Sequence, residues 1–179
     1  GINNSIDSSN FINKILEIYE MSSIYKIDLE KINFVISKEA FVHSIIIYKD
    51  NTISLNCFDN NMLLALIKPL TILYNSKELT INVKNYLNIN NFKFQEFSDN
   101  RFKIHKYFKY LRSFDHSHQI LFMILNNIAQ KKYLNGNLKY NNIIDFIMKS
   151  IFTNKLNKKL NTIDDILRYI DLIYKIHDK

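Results

Sequence analysis

Glycine is nearly missing from this 179-residue sequence, in which only Gly1 and Gly136 occur. A G-x-G-x-x-G or G-x-x-x-x-G-K-[ST] loop therefore cannot be written in it. Both standard ways of bringing backbone N–H groups against a nucleotide phosphate are excluded, so the chain by itself is not expected to bind a dinucleotide in the Rossmann manner. Cys57 is the single cysteine, which rules out an intrachain disulfide and a cysteine-based zinc site and fits a reducing compartment. With one thiol and scattered histidines, no Cys-His or Ser-His-Asp arrangement can be argued. No apolar run reaches the roughly 18 residues of a membrane-spanning helix, and no basic segment followed by an apolar core opens the chain. We expect a soluble protein, without a membrane partner, from which any targeting segment has been removed.

Tryptophan is absent and alanine and proline are scarce, while Asn, Ile, Lys and Tyr are over-used, as in proteins coded by AT-rich genomes. Hydrophobic residues make up 47% of the chain against 23% charged, which is the balance of a folded protein with a real core. The net charge is +7 and the pI about 9.3, yet the lysines are spread along the whole chain without an arginine-rich block. A nucleic-acid partner is therefore not expected.

Apolar residues at Ile12, Ile15, Leu16, Tyr19 and Ile24 have helical spacing, which predicts a helix over 11–24 with Ser8 or Ser9 as its cap. KINFVI (31–36), FVHSIIIY (41–48) and ISLNCF (53–58) read as strands. Lys49-Asp50-Asn51-Thr52 turns the second into the third as a hairpin. Residues 61–74 are helix-like, although Pro69 should kink or end them. The polar stretch that follows reads as a linker with short extended pieces at ELTINV and FKFQEF. Helices are predicted over 101–112, 116–134, 140–152 and 162–176. Ser113-Phe114-Asp115 would start the second of these, and Asn161-Thr162, with Asp164 and Asp165, the last. The expected fold is α+β, a small mixed sheet with helices followed by a C-terminal helical bundle. Its divisions are 1–75 (an α/β segment), 76–100 (the linker) and 101–179 (the helical domain).

In SIDSSNFINKILE (5–17), Asn13 and Glu17 lie one helical turn apart on one face, with Lys14 beside them and Ser8 just upstream. An amide, an ammonium and a hydroxyl could hold a phosphate, and the carboxylate could ligate a hard divalent cation. The plain alternative is an exposed polar helix face with an N-cap. The order S-x-D-S-x-x-x-x-N-K-x-x-E resembles the segment S-V-D-S-A-T-M-M-N-K-G-L-E of the 1-deoxy-D-xylulose-5-phosphate reductoisomerase family. The likeness continues in register. Residues 31–54 are similar to the family's stretch ending in H-S-M-V-x-x-x-D-G-S, retaining His43, Ser44 and Asp50. Arg101-Phe102 stands where the family has R-[FY]-P-C-L, residues 126–143 resemble N-E-x-A-V-x-A-F-L, and NTIDDIL (161–167) resembles S-x-x-D-V-L.

The resemblance implies that Ser8, Asn13 and Lys14 contact substrate phosphate and that Glu17 is one of the metal carboxylates. It implies an α/β catalytic portion with a C-terminal helical domain. It also implies NADPH and a divalent metal, Mg or Mn, as cofactors of the intact enzyme of non-mevalonate isoprenoid biosynthesis, neither of them expected to be tightly bound to this chain. The nucleotide-binding domain and the other metal carboxylates would precede Gly1. Several family positions differ: Ile15 replaces the glycine of N-K-G-L-E, Ser37-Lys38-Glu39-Ala40 stands for H-P-Q-S, and Asn60-Asn61-Met62-Leu63 for P-D-M-R. Asp115-His116-Ser117-His118 replaces a glycine-rich stretch, and Asn127 a glutamate. A C-terminal portion of a divergent reductoisomerase, inactive alone, is the expected function. The alternative is a non-catalytic reductoisomerase-like interaction or assembly module. A homodimer, or association with a nucleotide-binding domain or another protein, is the expected partnership. A plastid or a bacterial cytoplasm is the expected compartment. His43 is expected to be structural, His105 and His177 to be ordinary surface or packing histidines, and a metal shared by His116 and His118 is not expected from their spacing.

Overall fold

The computed structural model describes residues 1–38, 41–58, 62–74, 92–97, 102–153 and 160–177. Their elements, in order, are α1 (Ile2–Ser9), α2 (Ile12–Tyr25), β1 (Val35–Ser37), β2 (Val42–Ile47), β3 (Ile53–Cys57) and α3 (Met62–Leu73). These are followed by β4 (Phe94–Glu96), α4 (Phe108–Leu111), α5 (His116–Leu134), α6 (Ile143–Thr153) and α7 (Ile163–His177). The α+β class holds, and the strands make two antiparallel ladders, β1 with β4 and β2 with β3. The chain divides into two compact units, Gly1–Phe34 with Ser98–Lys179, and Val35–Phe97. That division cuts across the expected one at 75 and 100, because the first helices share a core with the last ones.

In the larger unit, α5 is the element that the others are built around. Leu121, Phe122, Leu125, Ile128 and Ala129 are buried on it, and so are the polar Ser117, Asn126 and Gln130, so it has more than one covered face. It packs against α6, which buries Ile143, Ile147, Met148 and Ile151, and against α7 through its buried Ile173. From the front of the chain, α2 turns Ile12, Ile15, Ile18 and Tyr19 inward, the i, i+3, i+6/7 stripe of an amphipathic helix. The Tyr19 ring meets Phe122 edge-on at 6.0 Å, and its hydroxyl donates to the Leu111 carbonyl at 2.9 Å. Burial pushes the Tyr19 phenol far above its usual range.

Local chemistry explains where the elements begin. Asp115 Oδ1 accepts from the His118 backbone N–H at 2.9 Å, an N-cap for α5. Thr162 Oγ1 accepts from the Asp165 N–H at 3.1 Å and donates to that residue's carboxylate at 2.8 Å, a reciprocal cap for α7. The predicted helix over 101–112 is instead a 3-10 helix, Lys103–Tyr107, running into the short α4. The predicted start of α6 is likewise a 3-10 turn, Tyr140–Asn142. The strand predicted over KINFVI is confined to Val35–Ser37. Leu29–Lys31 forms a 3-10 turn, whose Leu29 carbonyl accepts from the Arg112 guanidinium at 2.9 Å and whose Glu30 carbonyl accepts from it as well. The N–H groups of Lys31 and Ile32 donate to the Asp28 and Leu29 carbonyls within this turn, which takes the first residues of KINFVI out of a ladder.

In the second unit the hairpin is as predicted. Asn51 has φ +65°, and Asp50 Oδ1 accepts from the Thr52 N–H at 2.9 Å and hydroxyl at 2.7 Å. These bonds from Thr52 hold the exposed Asp50 carboxyl below its ordinary value. The ladder shifts register between Val42 and Ser44, a bulge at His43. Pro69 does not end α3, which runs four residues beyond it to Leu73. Of the two extended pieces in the expected linker, FKFQEF contains β4, and ELTINV lies outside the described residues. The hairpin leaves Ile45, Ile46, Ile47, Tyr48, Ile53 and Leu55 exposed. Adjacent strand residues point to opposite faces, so both faces of it are apolar.

The contrast between units is measurable by urea unfolding. Phe122→Ala should cost about 3–5 kcal/mol, because Phe122 is fully buried. Leu66→Ala, at a position 60% exposed, should stay within about 0.5 kcal/mol.

Candidate functional site

The polar residues of the opening motif sit at a sharp corner between α1 and α2. Phe11, at the corner, has φ +65°, a conformation that costs a non-glycine residue of order 1 kcal/mol or more. Its ring repays this by stacking on Phe34 at 5.9 Å and meeting Phe102 edge-on at 4.5 Å. Asn10 Oδ1 accepts from the Ile12 N–H at 3.0 Å and so satisfies the opening turn of α2. The expected capping by Ser8 or Ser9 is corrected accordingly. Both serines belong to α1, a helix that the apolar spacing did not reveal because it buries only Ile6 and Asp7.

Three of the four predicted site residues converge. Asn13 Nδ2 donates to Glu17 Oε1 at 2.5 Å, and Lys14 Nζ donates to Glu17 Oε2 at 2.7 Å. The i, i+4 and i, i+3 spacing makes this possible, while the opposite face of the same helix is anchored in the core. Ile15, at the family's glycine position, is 1% exposed and belongs to that anchoring face. Ser8 is exposed in the last turn of α1; its carbonyl accepts from the Phe11 N–H, and its hydroxyl is not hydrogen-bonded to the other three. Two clefts open beside these helices, one along α1 and one at the far end of α2. One is lined by Ile2, Ser5, Ser9, Tyr133 and Tyr140, the other by Ser22, Lys26, Asp28, Arg112 and Asp115. Neither includes Asn13, Lys14 or Glu17.

The chemistry this arrangement offers is partial. A hard divalent cation takes six or more oxygen ligands, typically including one or two carboxylates. Among the described residues no three His, Cys, Asp or Glu side chains lie close enough to hold a metal. Glu17 therefore fits as one ligand of a set rather than as a site. Lys14 and Asn13 are donors of the kind that hold phosphate oxygens, and each gives one hydrogen bond to Glu17 here.

The remaining candidates have structural work. His43 stacks on Phe58 at 3.7 Å, with Nε2 3.2 Å from the Phe58 carbonyl oxygen. His118 Nδ1 lies 2.7 Å from Asp115 Oδ1 at the start of α5, and His116 is exposed. Asn127 faces solvent on α5. Arg101, Glu39, Ala40, Asn60 and Asn61 lie outside the described residues.

Sequence reasoning missed the residue that joins this corner to the rest of the larger unit. Asp7 is 6% exposed, and its Oδ2 accepts from Asn126 Nδ2 at 2.8 Å, across 119 positions of sequence. Burial raises its carboxyl above the ordinary value, against the lowering effect of the Gln130 and Asn126 amides. Both residues stand inside quoted motifs, but nothing local announces their pairing.

Because the Lys14–Glu17 pair is 48% and 44% exposed, it contributes little to folding. Glu17→Gln should change the unfolding free energy by less than about 1 kcal/mol in a urea titration. A loss above about 2 kcal/mol would make the pair structural.

Residues 61–174 match the family model described as DXP reductoisomerase C-terminal domain. The chain is 25% identical over 177 residues to the 1-deoxy-D-xylulose 5-phosphate reductoisomerase of Pelagibacter ubique (strain HTCC1062), covering 94% of this chain and 44% of the relative. Against the enzyme of the same name from Clostridium novyi (strain NT) it is 27% identical over 164 residues, covering 91% and 42%. Among solved structures it resembles a DOX-P reductoisomerase in complex with NADPH, fosmidomycin and magnesium, with a TM-score of 0.81 and 20% identity. That alignment covers 99% of this chain and 45% of the other. The reductoisomerase from Zymomonas mobilis in complex with NADPH gives a TM-score of 0.78 at 20% identity. The chain thus spans less than half the length of the relatives it matches, and at these identities the structural likeness establishes the fold.

Proposed function

Because the chain belongs to the DXP reductoisomerase C-terminal domain family, we propose that it is the C-terminal portion of a 1-deoxy-D-xylulose-5-phosphate reductoisomerase. In that enzyme, α2 would supply one side of the site for substrate phosphate and divalent metal. The observation that carries this reading is the convergence of Asn13 and Lys14 on Glu17, on a helix face whose reverse is locked in the core. A cation on Glu17 would supply Lewis-acid and charge-neutralising chemistry there. Asn13 and Lys14, released from the carboxylate, would then be free to donate to phosphate, so binding of the two groups would be mutually favourable. Ser8, in the preceding turn, is the fourth contact of this reading.

NADPH would be held by another part of the enzyme, since this sequence contains no glycine-rich dinucleotide loop. The chain alone is inactive in this reading, and the pathway it serves is isoprenoid biosynthesis by the non-mevalonate route. Its partner is the nucleotide-binding portion or a second copy. Support for a partner comes from the hairpin, which exposes Ile45 and Ile47 on one face and Ile46 and Tyr48 on the other. Two strands apolar on both faces are marginal without cover. The compartment that goes with this function is a bacterial cytoplasm or a plastid. Among the described residues no helix is long and apolar enough to cross a membrane.

One observation favours a second reading, a non-catalytic module: Asn13, Lys14 and Glu17 satisfy one another without a ligand. Thermal melting with fosmidomycin and Mg²⁺, separately and together, separates the two. The enzyme reading predicts a shift for the pair that exceeds the sum of the separate shifts and disappears in both Lys14→Ala and Glu17→Ala. No shift at millimolar ligand, in a chain that melts cooperatively, would favour the module.

A further inference from the structure

The Asp7–Asn126 contact leaves two acceptors without donors. Asp7 Oδ2 takes the Asn126 Nδ2 proton at 2.8 Å, while Asp7 Oδ1 and Asn126 Oδ1 are both buried and both lack a hydrogen-bond partner. Asp7 is 6% exposed and Asn126 2%. Two unpaired oxygens at one buried contact are costly, and a buried carboxylate without a cation is costlier still. One proton placed between these groups removes both costs, because a carboxylic acid and a primary amide can exchange two hydrogen bonds in a ring.

We propose that Asp7 is held as a neutral carboxylic acid in the folded chain, donating from Oδ1 to Asn126 Oδ1 while Oδ2 accepts from Asn126 Nδ2. The α1–α2 corner is then docked on α5 through a proton that solution pH can remove. The surroundings are consistent with this. Facing Asp7 from α5 are the neutral amides of Asn126 and Gln130, and Gln130 also donates to the Asn3 carbonyl at 3.4 Å. The charged groups of α2 point elsewhere: Lys14 is paired with Glu17, and Glu20 is exposed. On α5, Lys131 lies over the Tyr174 ring, Lys132 acts on His177, and His118 is paired with Asp115 at the far end. Burial, the largest influence on the Asp7 carboxyl, favours its neutral form.

The sign of the pH dependence follows. A carboxyl whose folded-state pKa lies above its unfolded value of about 3.9 contributes its full stabilisation below that value. The contribution is lost as pH rises through the folded-state pKa. Asp7→Asn keeps the ring at every pH, since an amide can make the same two bonds to Asn126. This variant should therefore melt above the unaltered chain at pH 8, by about 2–4 °C, with the difference shrinking as pH falls to 4. Asp7→Ala should melt below it at both values.

A second measurement needs no variant: the side-chain carboxyl carbon of Asp7 followed by NMR in the intact 179-residue chain. It should remain protonated well above the pH at which Asp50 ionises, since the Thr52 bonds hold that carboxyl low. Asp7 ionising together with Asp50 would overturn the proposal. So would Asp7→Asn melting below the unaltered chain at pH 8, which is the result expected if an ionised Asp7 bonded to buried water filled the site.

Discussion

The first 34 residues have no core of their own, and the arrangement at the front of the chain depends on how they are seated on α5. Ile6, Asp7, Ile12, Ile15, Ile18 and Tyr19 are inward-facing, and the partners of Tyr19 and Asp7 come from about a hundred residues away: Phe122 beneath Tyr19, Leu111 accepting its hydroxyl, Asn126 beneath Asp7. Short polar helices such as α1 are marginal in isolation, so the corner at Phe11 exists because the seat exists. The left-handed backbone at Phe11 is tolerated for the same reason, its ring being clasped by Phe34 and Phe102.

That seat gives the polar face of α2 its character. Asn13, Lys14 and Glu17 are presented on a helix fixed from behind, and a helix interior holds side chains more precisely than a loop would. The exposed ion pair is worth little as a brace, so its cost to a ligand that displaces it is small. A buried acid–amide contact at Asp7 sits one residue before Ser8. The opening motif and the α5 motif that begins at Asn126 are thereby parts of one construction, although the sequence separates them by more than a hundred positions.

How much of this the sequence disclosed follows from the range of the interactions concerned. The α2 stripe, the α5 helix, the hairpin turn at Asp50-Asn51 and the helix starts in Ser113–Asp115 and Asn161-Thr162 are local patterns, and each was legible. The trio on α2 was legible too, because helical spacing alone brings 13, 14 and 17 together. What failed was long-range. Nothing near KINFVI says that its first residues will close a 3-10 turn pinned by Arg112 on the Leu29 and Glu30 carbonyls, leaving a strand of three residues. Nothing near INNSIDSS says that Asp7 will be buried, since an aspartate in an Asn- and Ser-rich run reads as surface. Likewise, the polar composition of 75–100 does not disclose that residues 94–96 pair with 35–37.

The central claim is that α2 presents a ligand-ready face, complete in its own donors and incomplete in its metal carboxylates. Backbone amide chemical shifts of the isotope-labelled chain, titrated with fosmidomycin in the presence of Mg²⁺, test it most directly. The account predicts saturable shifts clustered at Ser8, Asn13, Lys14 and Glu17, with the α5–α7 core unchanged. Saturable shifts confined to the cleft at Tyr133 and Tyr140, or none at these four residues with ligand in excess, would contradict it.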